Sequence, residues 1–163
     1  MTLSIDFVDR ASGVGAWLAG RFDHLAPATE RDAADAEALS AAIERLVTAT
    51  ADETTRRADD VDTVNLFAAT PDVPPMLDGG RRRAGGGQVR VAQALSSIAR
   101  DAVAILTADD GRIRRCAGCA RVFHDDSRTG NRKWCSMLTC GNRAKVAAFR
   151  RRQQEPDASP ATR

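Results

Sequence analysis

The chain has 163 residues, 43% of them hydrophobic, which suits one ordinary domain or a small domain plus a module of about forty residues. Aromatics are scarce, with five Phe, two Trp and no Tyr, so any core must be built mainly from Ala, Leu, Val and Ile. The net charge is +2, no run approaches the ~18 consecutive apolar residues of a membrane span, and the opening MTLSIDFVDR lacks the basic start and apolar stretch of a signal peptide, so a cytoplasmic location is expected.

In chain order, Leu3, Ile5 and Phe7 alternate as a short apolar start, and Ala16, Trp17 and Leu18 suggest a brief helix or turn among glycines. From Asp32 to Thr50, Leu39, Ile43, Leu46 and Val47 recur as one face of a helix. Asp32, Asp35 and Glu37 enrich its first turns, where carboxylates complement the helix dipole. A second helix is predicted over 52–69, opened by Asp52 and Glu53, with Val61, Val64 and Phe67 on its apolar face. Pro71, Pro74 and Pro75 stop it, and Thr70 to Gly87, with the triplet Arg81-Arg82-Arg83, reads as a solvated loop. The strongest helix spans 88–107, with Val91, Leu95, Ile98, Ala102, Ile105 and Leu106 along one stripe and Asp109-Asp110-Gly111 as the turn that ends it. Residues 1–111 hold no cysteine and a single His24, and their carboxylates read as caps or solvated faces. This part is expected to be a small helical domain with no catalytic constellation.

Division of the charge changes its meaning. Residues 1–111 carry eleven Arg against eighteen Asp and Glu, −7, whereas 112–152 carry ten Arg and two Lys against Asp125 and Asp126, +10. All four cysteines lie in the basic part. Such asymmetry points to an acidic partner, nucleic acid first among them.

Cys116 and Cys119 form C-x2-C, and Cys135 and Cys140 form C-x4-C after fifteen intervening residues. Two close pairs at this separation suit a tetrahedral zinc ion, since each pair spans one edge of the tetrahedron. Four thiolates close the site, so the one Zn²⁺ is expected to be structural and the chain not to be an enzyme. A disulfide pair fits poorly with a cytoplasmic chain, a thioredoxin-like motif needs an absent βαβ pattern, and an iron–sulfur cluster is less common at this spacing. His124 is expected to be an exposed hairpin side chain and not a ligand. Around the ligands, Ile113 to Arg115 and Arg121 to Phe123 read as short strands, with Gly118 in the knuckle turn. Lys133-Trp134-Cys135 reads as a return strand, and Ser136 as the cap of a helix running from Met137 to Arg152. The fold class is thus a mainly α N-terminal domain plus a small α+β, treble-clef-like zinc finger. With a zinc tetrathiolate counted at −2, the finger remains near +8. Trp134 is expected to pack beneath the metal site.

The string Cys116-x-x-Cys119, Phe123, Asp125, Ser127-Arg128, Arg132-Lys133-Trp134-Cys135-Ser136-Met137 and Cys140-Gly141-Asn142-Arg143-Ala144-Lys145 resembles the CGNR zinc finger. These fingers usually follow a helical domain called ABATE, described as a stress-induced transcription regulator, and residues 1–111 are similar to it in layout. Asp6-Phe7-Val8 resembles its opening, continuing with Asp9-Arg10 where Asn is common. The resemblance implies a zinc-binding, DNA-binding bacterial regulator in stress response. Its domains would be 1–111, the finger at 112–152, and a disordered tail at 153–163. On this reading Arg128, Arg132, Lys133, Arg143, Lys145, Arg150 and Arg151 meet the phosphates of double-stranded DNA. Phe123, Trp134, Gly141 and Asn142 support the finger, Gly141 through a close backbone contact near the metal and Asn142 by bonding a ligand sulfur or the hairpin backbone. The N-terminal domain would take a small-molecule effector or form a homodimer, and no membrane is involved. The alternative is a zinc-stabilised protein-interaction or redox-responsive module without direct DNA binding.

Overall fold

The computed structural model describes residues 13–75, 87–108 and 110–154, and the chain divides into two compact units, 1–111 and 112–163. The apolar start at Leu3 to Phe7, Asp6-Phe7-Val8 and the Arg81-Arg82-Arg83 triplet lie outside the described residues.

The first unit is built from α1 (Gly13–Ala19), α2 (Glu30–Ala51), α3 (Ala58–Ala69) and α4 (Val91–Ala108). Thr29 starts α2 with a capping box: its side chain accepts from Asp32 N–H at 3.2 Å, while Asp32 Oδ2 accepts from Thr29 N–H at 2.8 Å. Asp32 therefore does more than complement the dipole; its carboxylate takes the Thr29 N–H while the Thr29 side chain satisfies the Asp32 N–H that the first turn leaves open. The apolar stripes of α2 and α4 meet, with Leu39, Ile43, Leu46 and Val47 buried beside Val91, Leu95, Ile98, Ala102 and Leu106. Small residues at Ala36, Ala42, Ala94 and Ala99, all buried, allow these helices to pack closely without aromatic filler. Helices α2, α3 and α4 pack on one another, and α1 rests on α2 and α4 through buried Val14 and Leu18. α4 is long and apolar enough to cross a membrane by length and composition, yet it is the central helix of this core, its stripe covered by α2 and α3.

Two expectations need correction. Asp52 and Glu53 do not open α3; Asp52 caps the C-terminus of α2, Glu53 takes a left-handed φ of 53°, and α3 begins at Ala58. The acidic pair thus belongs to a helix end, where a left-handed residue reverses the chain. Asp60 is not a solvated carboxylate. It is 3% exposed and receives Arg45 through Nε at 3.0 Å and Nη2 at 2.7 Å. These hydrogen bonds hold the Asp60 carboxyl below its ordinary range and raise the Arg45 guanidinium, so the pair stays charged and ties α2 to α3.

The second unit has a two-stranded antiparallel sheet, β1 (Ile113–Arg115) with β2 (Val122–His124), in which Arg114 faces Phe123. One turn of π-helix, Met137–Gly141, leads into α5 (Asn142–Gln154). The described residues of both units together give the expected class, mainly helical with one small sheet and a cysteine cluster in the second unit. Gln153 and Gln154 are helical and not part of a tail, and the rest of the expected tail lies outside the described residues.

Candidate metal centre

The first ligand pair sits on a knuckle between β1 and β2. Cys116 N–H donates to Arg121 O at 2.8 Å and Ala120 N–H to Cys116 O at 2.9 Å, which closes the turn, while Gly118 N–H points at Cys116 Sγ from 3.4 Å. The left-handed residue of this turn is Ala120, with φ 59°, and not Gly118. Gly118 is needed for space instead: a methyl group there would lie 3.2 Å from Cys140 Cβ and 3.3 Å from Trp134 Cζ3.

The second pair arrives differently. Lys133-Trp134-Cys135 forms no strand. Ala117 N–H donates to Lys133 O at 2.9 Å, so this segment runs beside the knuckle and lays the Trp134 ring against Gly118. Ser136 caps the helix, its side chain accepting from Thr139 N–H. Gly141 N–H then donates to Ser136 O at 3.0 Å, the wide bond that makes this turn π-helical before α5 begins. Cys135 precedes the cap and Cys140 lies inside the wide turn. The C-x4-C interval is the length of that turn.

All four sulfurs come within 4.8 Å of one another. Cys119 and Cys135 Sγ are 3.7 Å apart, and Cys135 and Cys140 Sγ 3.9 Å. A zinc ion with Zn–S bonds near 2.3 Å requires tetrahedral edges of about 3.8 Å, so the cluster fits Zn²⁺. The thiols also show why a cation is needed. Burial pushes Cys116 up, but N–H donors from Cys135, Gly118 and Cys119 outweigh it and bring the thiol down to about 6. Burial and the surrounding thiols push Cys135 up to about 12, and burial likewise raises Cys140. Four negative sulfurs this close repel, and a central divalent cation offsets that repulsion. Cys116 and Cys140 are buried, Cys135 is half-buried and Cys119 is exposed. His124 is half-buried on β2 and outside the cluster, and its Nδ1 is buried without a hydrogen-bond partner among the described residues, contrary to the expected exposed side chain.

Phe123 packs with Cys116 and Cys140 in one buried cluster, and Trp134 and Cys135 pack against it. Asp125 is fully buried and organises the loop that returns the chain. Its Oδ1 accepts from Ser127 N–H at 3.0 Å and Ser127 Oγ at 2.6 Å, and its Oδ2 from Arg132 N–H at 2.7 Å. Burial opposes its charge, but these donors and the Arg132 charge prevail and lower the carboxyl to about 2. Asp125 stands in the sequence motif without an assigned role. The Asp-x-Ser order was the available signal, since such side chains bond backbone two residues on.

The remaining expected site residues fall into two groups. Arg128, Lys133, Arg143, Lys145, Arg150 and Arg151 are exposed. Arg132 is turned inward: it bonds Asp126 Oδ1 at 2.7 Å and Cys135 O at 2.9 Å, and lies 5.5 Å from the Phe123 ring centre. It braces the loop and offers least to an external phosphate. Asn142 donates to Leu138 O at 3.1 Å, within its own helix start, and to neither a sulfur nor the hairpin. Gly141 makes room for Met137, whose Sδ would lie 2.8 Å from an added methyl group.

Two outcomes are expected. Gly118→Ala crowds Cys140 and Trp134 and weakens zinc binding at least tenfold, whereas Ala120→Gly relieves a left-handed alanine and strengthens the finger by about 1 kcal/mol. Competition with a chelating dye measures both. Asp125→Asn puts an amide donor against the donors of Ser127 or Arg132, costing about 2 kcal/mol, or about 30-fold in zinc affinity. The Asp125 contribution is present above the ordinary carboxyl range near pH 4 and is lost as pH falls through about 2, because its folded value is depressed.

A family model described as "CGNR zinc finger" matches residues 112–153. A second, described as "ABATE: Putative stress-induced transcription regulator", matches residues 3–109. A search of curated proteins found no match. The chain belongs to the ABATE family and carries a C-terminal CGNR zinc finger whose four cysteines form the site of one structural zinc ion.

Proposed function

We propose that this protein is a cytoplasmic, bacterial DNA-binding transcription regulator of the stress response. In this reading zinc holds the finger through Cys116, Cys119, Cys135 and Cys140. The carrying observation is the set of exposed cations on one zinc-anchored element and its adjoining loop: Arg143, Lys145, Arg150 and Arg151 on α5, with Arg128 and Lys133 from the loop. Such groups meet phosphates and give affinity without sequence information. Arg132, bonded to Asp126, shapes the surface from within. The N-terminal helices would take a small-molecule effector or pair two chains, coupling a signal to the finger.

A second reading, a redox-responsive zinc module, is favoured by the exposure of Cys119 and the 3.7 Å between its sulfur and that of Cys135. Peroxide oxidises two such thiolates to a disulfide and becomes two waters after taking two protons, freeing the metal. Zinc release at low peroxide, with Cys119 among the first cysteines oxidised, would carry this reading over the first.

The test of the first reading is fluorescence anisotropy of the zinc-loaded chain on random duplex DNA across salt concentrations. Log affinity should fall linearly with log salt, with a slope of about −4 for four or five phosphate contacts. Arg143→Ala with Lys145→Ala should flatten the slope by about 2 while zinc is retained. Affinity indifferent to both salt and these substitutions would overturn the proposal.

A further inference from the structure

Five large hydrophobic side chains are exposed among the described residues, and four of them, Met137, Leu138, Val146 and Phe149, belong to the π turn and α5. Val146 is 50% exposed and Phe149 56%. They are three residues apart, and extending the same register one step each way adds exposed Asn142 and Gln153. The spacing of four, three and four is that of the a and d positions of a heptad. Leu138, 85% exposed, lies one turn ahead, its carbonyl taking the Asn142 amide.

In that register the flanking e positions are Arg143 and Arg150, and the g positions Lys145 and Arg152. Every flanking position of the seam is basic and exposed. The half-buried Ala144 and Ala148 lie on other faces of the helix, so the seam is not the side that α5 rests on. We propose that α5 docks an acidic amphipathic helix of a partner protein along the seam Asn142–Val146–Phe149–Gln153.

Physical chemistry selects this occupant over others. A second α5 would set four cations against four, which is repulsive in the positions that choose coiled-coil partners. A bilayer surface needs a broad apolar face, and α5 offers two large apolar side chains over thirteen residues, with no Trp. Duplex DNA, the partner proposed above for the same cations, leaves Val146 and Phe149 little apolar surface to cover, so an acidic helix on this seam would compete with DNA for α5. An acidic helix supplies both components: apolar side chains that seat between Val146 and Phe149, and carboxylates opposite Arg143, Lys145, Arg150 and Arg152. A seam of two turns is short for a free coiled coil. Here the Ser136 cap and the turn that carries Cys140 order the start of α5 before any partner arrives, which lowers the entropy lost on docking. This inference does not rest on DNA binding, and its test contains no DNA.

The test titrates the full zinc-loaded chain with a labelled synthetic helix of about three heptads, Leu at a and d and Glu at e and g. Saturable binding is expected at low salt, weakened at least tenfold by Val146→Ser with Phe149→Ser, whose exposed positions leave the fold and zinc content unchanged. Lys145→Glu with Arg152→Glu should shift preference toward the same peptide with Lys at e and g. Equal binding of a peptide with identical composition but scrambled register would overturn the proposal, reducing the contact to bulk charge. So would unchanged binding by the double Ser variant, or Phe149-dependent capture by phosphatidylserine vesicles without capture of the peptide.

Discussion

The second unit depends on four sulfurs held within 4.8 Å of each other. This arrangement is unfavourable without a cation, because burial and the neighbouring thiols resist ionisation of Cys135 and Cys140. Around a zinc ion the same closeness becomes a set of tetrahedral edges. A unit with a two-stranded sheet and one helix has too little apolar surface to fold on packing alone. Among the described residues its buried hydrophobic cluster is Cys116, Phe123 and Cys140, with Trp134 and Cys135 partly covered. Metal binding is therefore folding free energy for this unit.

From that constraint the rest follows locally. The sulfur of Cys140 fixes the wide turn, the turn fixes the direction of α5, and α5 carries the cations and the apolar seam. Asp125 does the corresponding work in the loop, gathering Ser127 and the Arg132 backbone so that Cys135 returns to Cys119. The strongly basic finger keeps its two acidic residues for itself: Asp125 is buried in the loop and Asp126 is bonded to Arg132. Its outward charge is thus almost wholly positive, which is what gives the charge split its functional meaning.

Long periodic elements and the ligand set were legible in the residues. Leu39 to Val47 and Val91 to Leu106 announce two buried helical stripes, and the paired cysteines announce a tetrahedral site. Features decided by a partner distant in the chain were not. Asp60 looks like any surface acid until Arg45, fifteen residues earlier, is brought over it. Asp52 and Glu53 look like a helix start because acidic residues favour N-termini, yet here they cap the end of α2. Within the finger, Lys133 to Cys135 has strand-like composition, but packing of Trp134 on Gly118 sets its course with no ladder. Ala120 in a left-handed conformation has no sequence signal at all, since glycine is the residue that normally marks one.

The central claim is that zinc on these four thiolates organises the finger. Its most direct measurement is a two-dimensional ¹⁵N–¹H NMR spectrum of the full chain, before and after one equivalent of zinc is withdrawn by a strong chelator. Dispersed resonances from 112–154 should collapse to random-coil positions while those of the α2 and α4 core persist, and readdition of one equivalent should restore them. Persistence of dispersed finger resonances after the metal is gone would contradict the account.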